Sequence, residues 1–358
     1  MERFGMVSAS GNNLVFLLST PRAGSTLLGA ILANHSSLHC PNEPWLLLNL
    51  YGLFDGKPEA TGSPNENLAT VALRELLSEK QFCHAARAFA VSVYNQKLQQ
   101  QRKQIFVDKT PRYYQVLSFM DQLFPDARKI WLLRNPFDVA ASYASTWQVP
   151  AAELAGETLS PNSLDLTIGL RNYIRYFRGQ SNTLEIRYED LASNTAESVG
   201  QLCKFLEVPY EAGLEDYDRG DPGFSAMKEQ LMGDKNIFSH SRPHEQSIDR
   251  WKQCFALEDL QRLANVIGEK CLERMGYQRT ISELKKLGCR FPSEHEVDDA
   301  LFALEKKARA MPAENGAKYH LLLRTKTDLD AHAKRLDRLR RHWWVRLGRR
   351  LGILDIKQ

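Results

Sequence analysis

An apolar run that breaks into a turn of small residues and re-emerges as a helix constrains this chain more than any other feature. Residues 14–28 read Leu-Val-Phe-Leu-Leu-Ser-Thr-Pro-Arg-Ala-Gly-Ser-Thr-Leu-Leu. A short continuous apolar run fits a parallel strand buried on both faces, and the turn after it delivers a helix N-terminus. The first N–H groups of a helix have no partner inside it, and the helix dipole favours an anion there. Gly24 lets the backbone approach such an anion closely. Ser25 and Thr26 offer hydroxyls where an N-cap belongs, and Arg22 adds a forked cation. A Walker A loop would need a Gly-Lys-Ser/Thr to hold ATP and magnesium, and none follows here. The loop is built for an anion, not for ATP with magnesium.

A second strand end repeats the arrangement. Residues 129–147 read Lys-Ile-Trp-Leu-Leu-Arg-Asn-Pro-Phe-Asp-Val-Ala-Ala-Ser-Tyr-Ala-Ser-Thr-Trp. Pro136 sits at a first helical position, where its missing N–H costs nothing. Arg134 leaves the strand, and Ser142, about two helical turns on, returns towards the same site. In open α/β sheets ligands sit at the carboxyl ends of the strands, so two such ends imply a ligand with two separated phosphate groups.

The remaining pattern alternates strand and helix. Strands are expected at 14–19, 104–108, 129–133 and 183–188. Helices are expected at 25–34, 44–53, 66–101, 112–123, 137–147, 164–179, 194–206 and 256–275, with loops at 148–163 and 218–247. That order predicts an α/β fold, a parallel sheet with helices on both faces.

These motifs, in this order, resemble the sulfotransferases that use 3′-phosphoadenosine 5′-phosphosulfate (PAPS). Pro21-Arg22-Ala23-Gly24-Ser25-Thr26 resembles their 5′-phosphosulfate loop. Arg134-Asn-Pro-Phe-Asp-Val-Ala-Ala-Ser142 resembles their 3′-phosphate motif, R-x-P-x-D-x-x-x-S. Ile186-Arg-Tyr-Glu-Asp-Leu191 resembles the segment whose tyrosine lies by the adenine, and Asp108-Lys-Thr-Pro111 the lysine-bearing strand end. The resemblance covers roughly residues 10–280. It is nearer the bacterial, carbohydrate and tyrosylprotein types than the cytosolic phenol type, which has lysine in place of Arg22 and a C-terminal Arg-Lys-Gly segment not found here. It implies a P-loop-like three-layer α/β/α fold and PAPS as donor, with no metal.

Sulfonate transfer needs a base for the acceptor and a cationic clamp on the bridging oxygens. Glu43, in Cys-Pro-Asn-Glu-Pro, is the candidate base, because related enzymes of the tyrosylprotein and carbohydrate type carry a glutamate there. The plain alternative is a carboxylate favouring the dipole of the helix that follows. His35 and Asp108 are rival bases. Lys109 and Arg22 are candidates for the transferring group, Arg134 and Ser142 for the 3′-phosphate, and Tyr188 for the adenine. Ala23, Gly24, Ser25 and Thr26 complete the loop. Arg250, with Ser239 and Arg242 in a looser match, belongs to a segment expected to cover the donor.

Composition narrows the class without deciding it. A net charge of +4 over 358 residues is too mild to argue for nucleic acid but suits a polyanionic ligand. The six cysteines form no C-x-x-C pair, so neither zinc nor a disulfide framework is indicated. No secretory leader or membrane span is read in residues 14–32, which sets the expectation of a cytoplasmic enzyme.

The expected units are a sulfotransferase domain over 1–280, a helical tail over 293–342 and a basic amphipathic segment over 343–358. Leu322, Thr325, Leu329, His332, Leu336, Leu339 and Trp343 make a short heptad seam, suited to a weak coiled coil or a homodimer. Arginines, tryptophans and leucines at 340–354 suit an interfacial helix on the inner face of an anionic membrane. The acceptor is expected to be a small molecule or glycan, most simply a carbohydrate or glycolipid hydroxyl. The alternatives are a P-loop small-molecule kinase and a non-catalytic assembly module.

Overall fold

Five parallel strands form a single sheet in this computed structural model, which describes residues 5–55, 66–216 and 242–310. The strands are β1 (Leu14–Leu18), β2 (Leu38–His39), β3 (Ile105–Lys109), β4 (Arg128–Leu133) and β5 (Thr183–Arg187), in the order β2-β3-β1-β4-β5. β1 therefore lies between β3 and β4, although the chain makes β3 and β4 consecutively. This crossing is the topological switch that places a ligand site at the carboxyl ends of these strands. Register aligns Leu17 with Lys109, Leu18 with Trp131 and Leu133 with Arg187, so the segments leaving these strands emerge side by side.

Strand alternation sorts the core into two layers. Leu14, Phe16 and Leu18 of β1, with Phe106 and Trp131, pack towards the helices Glu79–Gln101, Leu117–Leu123, Pro136–Trp147, Leu170–Phe177 and Leu257–Ile267. Phe82, Ala86, Ala90, Tyr94 and Leu98 recur every fourth residue along the buried stripe of the first of these. Val15 and Leu17, with Val107, Ile130, Leu132 and Ile186, pack on the other side against Ser25–Ala33 and Thr195–Leu206. The expected three-layer fold with a central parallel sheet is present.

Local departures from the expected pattern have identifiable causes. The helix expected over 112–123 begins as a 3₁₀ turn, Pro111–Gln115, and becomes α-helical only at Leu117–Leu123. Tyr113 and Tyr114 within that turn are drawn to two different buried carboxylates, Asp108 and Asp165. The helix expected over 164–179 starts with a π turn, Asp165–Gly169, before Leu170–Phe177. There the Asp165 side chain is held by Arg112, Tyr114 and Tyr143. The loop expected at 148–163 contains two single-turn helices, Ala151–Leu154 and Pro161–Leu164. The helix expected over 256–275 divides at Gly268, whose φ of 77° leaves the helical region, into Leu257–Ile267 and Glu269–Arg274.

The helix Glu294–Ala310 packs Val297, Leu301 and Leu304 beside Leu159 and Ile168. The heptad seam and basic segment beyond it, and most of 218–247 including Ser239, lie outside the described residues. Among the described residues no helix is long and apolar enough to cross a membrane.

Candidate active site

The loop after β1 leads into Ser25–Ala33 without a side-chain cap. Gly24, not Ser25 or Thr26, is the N-cap residue, with φ 101° and ψ 14°. The expected hydroxyl capping is therefore absent, and the first helical N–H groups face the loop without a side-chain acceptor. Glycine is required at 24 twice over. Its φ lies in the left-handed region, and a Cβ there would stand 2.5 Å from Cδ2 of Tyr188.

Arg22 is also left-handed, at φ 68°, a conformation uncommon for arginine and sustained by its surroundings. Its Nε donates to Ser142 Oγ at 3.2 Å and its Nη2 to Thr146 Oγ1 at 3.1 Å. Its guanidinium lies 4.9 Å from the Trp147 ring centroid. The expectation that Ser142 returns to the site from two turns away is met by this bond to Arg22. Ala23, buried, closes the turn through its N–H to the Thr20 carbonyl at 3.2 Å.

Arg134 ties the two strand ends together. Its Nη1 donates to the Arg22 carbonyl and its Nη2 to the Ser247 carbonyl, each at 2.8 Å. Its guanidinium stacks 4.3 Å from the Tyr188 ring centroid, and Tyr188 in turn covers Gly24. Arg134 Nε is buried and has no partner among the described residues, and the same holds for Ser19 Oγ in the β1 loop. Buried donors without partners are rare and costly, and a ligand oxygen is one way to satisfy them.

The helix after Arg134 is capped by Asn135, whose Oδ1 accepts from Phe137 N at 3.0 Å. Asp138, one turn in, accepts from the N–H groups of Asp249 at 2.9 Å and Trp251 at 3.1 Å. This carboxylate, one of the quoted motif's fixed letters but given no role by sequence, pins the Ser247–Trp251 segment beside Arg134. Burial pushes its pKa up to about 6, against the charge of Arg134 and the two backbone N–H groups. Arg250 is exposed on the pinned segment. Arg242 is exposed and pairs with Asp216 at 3.4 Å.

Lys109, at the end of β3, is fully buried. Its ammonium donates to Asn42 Oδ1 at 3.1 Å and to Glu43 Oε1 at 3.2 Å. Glu43 keeps 15% of its side chain exposed, and its other oxygen accepts from the Trp45 indole at 3.2 Å. Lys109 therefore meets the cleft through Glu43 and Asn42. Trp45 has φ 55°, and its N–H donates to Thr110 Oγ1 at 3.3 Å.

The rival bases are occupied elsewhere. Asp108 is fully buried and accepts from Tyr94 at 2.7 Å, Tyr113 at 2.8 Å and Thr110 at 2.9 Å. Burial pushes its pKa up to about 6, against those three bonds and the charge of Lys109. His35 lies beyond the far end of Ser25–Ala33, about 13 Å of helix from the loop. Its Nε2 is 2.8 Å from the Pro209 carbonyl, and its Nδ1 accepts from Ser37 N at 3.0 Å. A depression of about 580 Å³ at the N-terminal ends of the strands, lined by Gly11, Asn13, Gln104, Asp126 and Arg128 among others, gathers none of the groups around Arg22, Arg134 or Glu43.

Comparison with known proteins gives the family. The family model described as the sulfotransferase family matches residues 15–212, from β1 to beyond Thr195–Leu206. The chain belongs to the sulfotransferase family. This sulfotransferase is 30% identical over 303 residues to the nodulation protein NoeE of Sinorhizobium fredii (strain NBRC 101917 / NGR234), covering 77% of this chain and 68% of that protein. Among solved structures, the sulfotransferase domain from the curacin biosynthetic pathway is 24% identical, with 82% of this chain and all of that chain covered at a TM-score of 0.49. A mouse sulfotransferase complexed with PAP is 14% identical, with 79% and 90% covered at a TM-score of 0.39. Membership sets aside the kinase and assembly-module alternatives. The protein is an enzyme that transfers sulfonate.

The sequence reading missed the residues that hold this sulfotransferase's site together. Asn42, Trp45, Arg112, Thr146 and Trp147 carry no motif by themselves, and Asp138, a fixed letter of the quoted motif, was given no role. Asp138 alone could have been found, from its place four residues after Arg134. Among the described residues no group of three or more His, Cys, Asp or Glu is arranged to hold a metal.

Proposed function

We propose that this sulfotransferase takes its sulfonate from PAPS and passes it to a hydroxyl of a carbohydrate-type acceptor, with Glu43 as general base. One observation carries the donor half. Arg134, at the end of β4, is bonded to the carbonyl of Arg22, in the loop after β1, and keeps a buried Nε without a partner among the described residues. An uncapped helix N-terminus lies in the same loop. Two separated anion-binding strand ends locked together suit a nucleotide with phosphates at both its 3′ and 5′ positions. Gly24 keeps the space that a Cβ would fill, and the residues present fit such a group.

PAPS supplies a sulfonate on a phosphate leaving group. Arg22 and the N–H groups after Gly24 hold the 5′ side, and Arg134 with Ser142 holds the 3′ side. Tyr188 supports the Arg134 guanidinium from below and fixes where the adenine can lie. Arg250, exposed on the pinned segment, would add a cation for the donor. Glu43 receives the acceptor's hydroxyl proton. Each of its oxygens already accepts one bond, from Lys109 or Trp45, and each retains further acceptor capacity. Lys109 orients Glu43 and carries a positive charge behind the transferring group.

Glu43→Gln removes the base and keeps one of the two flanking hydrogen bonds, since its single amide oxygen accepts from Lys109 or from Trp45 but not from both. Sulfonate transfer in the variant is expected to fall ~10²–10⁴-fold, while binding of 3′,5′-adenosine bisphosphate stays as in the wild type. Full activity in this variant would reject Glu43.

A further inference from the structure

The groups around Glu43 share a property that no motif announces: their charges cancel in pairs. Lys109 is paired with Glu43. Arg112, in the turn after β3, forks onto Asp165, with Nε 3.0 Å from Oδ1 and Nη2 2.9 Å from Oδ2. Asp165 is fully buried and also accepts from Tyr114 and Tyr143, each at 2.9 Å. Burial disfavours the charged Arg112, yet the Asp165 carboxylate outweighs this and holds its pKa above the ordinary arginine value.

This second pair borders the first. The Arg112 guanidinium is 6.0 Å from the Trp45 ring centroid, and the Trp45 indole donates to Glu43. On the other side Tyr143 meets Trp147 edge-on at 5.3 Å, and Trp147 lies beside Arg22. A continuous wall therefore runs from the candidate base to the donor loop. Trp147 is exposed at the donor-loop end, and the two members nearest Glu43 along the wall are open as well. Arg112 keeps 16% of its side chain exposed, and its third nitrogen, Nη1, makes no bond among the described residues. Trp45 is partly exposed and held in a left-handed conformation that non-glycine residues seldom adopt.

We propose that Trp45 and Arg112 form the acceptor subsite, and that the acceptor is a neutral, polyhydroxylated ring. This rests on Glu43 being the base that meets the acceptor. Trp45 offers an aromatic face to the apolar side of such a ring. Arg112 Nη1 offers one hydrogen bond to a hydroxyl or ring oxygen, at a nitrogen that Asp165 has fixed in direction. Because Asp165 already balances Arg112, and Lys109 already balances Glu43, a carboxylated acceptor finds no spare cation beside Glu43 among the described residues and brings its charge next to that carboxylate.

The test assays sulfonate transfer from PAPS to neutral methyl hexosides and to the matching methyl hexuronides. Arg112→Gln alone strands a buried carboxylate, so it is combined with Asp165→Asn to keep the charge balance, and Trp45→Ala is the independent variant. The wild type is expected to favour the neutral glycosides by ~10-fold or more in kcat/KM. The double variant should raise their KM ~10-fold, the size of one lost hydrogen bond, and Trp45→Ala ~3- to 10-fold. In the double variant kcat should hold, whereas Trp45→Ala, which also removes the indole bond to Glu43, should lower kcat as well as raise KM; the affinity for 3′,5′-adenosine bisphosphate should hold in both. A preference for hexuronides overturns the proposal. So does transfer to neither class by an enzyme that still binds the bisphosphate, or a variant effect on kcat with KM unchanged. Failure of the wild type to bind the bisphosphate would instead reject the donor reading, which keeps the two failures apart.

Discussion

The proposed donor side and the proposed acceptor side of this cleft stand on adjacent strand ends, yet they hold their cations by opposite means. On the donor side the partners described are neutral. Arg22 meets the hydroxyls of Ser142 and Thr146, and Arg134 meets two main-chain carbonyls and the Tyr188 ring. On the acceptor side the partners are carboxylates, Glu43 for Lys109 and Asp165 for Arg112. At Arg134 the neutral partners fix the guanidinium in place and leave its Nε for a ligand. Ion pairs fix a cation equally well and leave only hydrogen-bonding capacity. The difference matches a polyanionic donor facing an uncharged acceptor.

The comparison can be broken most severely at Lys109. Lys109→Met keeps the buried bulk and removes the ammonium that orients Glu43. Turnover is expected to fall ~10²–10³-fold, the size of losing one preorganised donor, with bisphosphate affinity unchanged. A variant that binds bisphosphate poorly would place Lys109 on the donor side instead.

A smaller effect is expected at Gly24. Alanine there meets both the left-handed backbone and the Tyr188 ring, so Gly24→Ala should lower unfolding stability by roughly 1–3 kcal/mol. Because Tyr188 supports Arg134, bisphosphate affinity should fall with it. Thermal melts with and without bisphosphate would measure both, and a variant that melts and binds like the wild type would remove the steric argument.

The smallest effect separates Asp108 from Glu43 as a matter of pH. Burial raises the Asp108 pKa from 3.8 to about 6 in the folded protein. The folded chain then holds more protons than the unfolded one across that window, so stability should decline as pH rises from about 4 to about 6. Asp138, raised in the same direction, adds to the decline. In Asp108→Asn the dependence of the melting midpoint on pH should be shallower than in the wild type. An unchanged slope would contradict the assignment of Asp108 as a buried support.

The grouping of Arg22, Gly24, Arg134 and Ser142 was legible in the sequence because its parts are contiguous. A loop of six residues carries Arg22 and Gly24, and one strand-to-helix segment carries Arg134 before the helix and Ser142 within it, so spacing alone brings them together. Even there the cap was misread. Serine and threonine favour N-caps in general, but Gly24 holds the position with a left-handed backbone and leaves the helix N–H groups open. On the proposed acceptor side only Glu43 and Lys109 were singled out from the sequence. Trp45, Arg112 and Asp165 come from three distant segments, and their meeting depends on the 3₁₀ and π turns that replace the regular helices expected over 112–123 and 164–179. Those turns exist because buried carboxylates recruit tyrosines, which is a tertiary preference and has no local sequence period. His35 illustrates the converse: a histidine at a helix end is consumed by the Pro209 carbonyl and Ser37.

The most direct measurement of the central claim is calorimetric titration of 3′,5′-adenosine bisphosphate, with ATP and magnesium as the competitor, into the wild type, Arg134→Ala and Glu43→Gln. The account predicts that the wild type prefers the bisphosphate, that Arg134→Ala weakens it ~30- to 100-fold, as expected for a lost charge-assisted contact, and that Glu43→Gln binds it like the wild type. Preference for ATP with magnesium, or equal weakening in both variants, would contradict the division of the cleft into a donor side and an acceptor side.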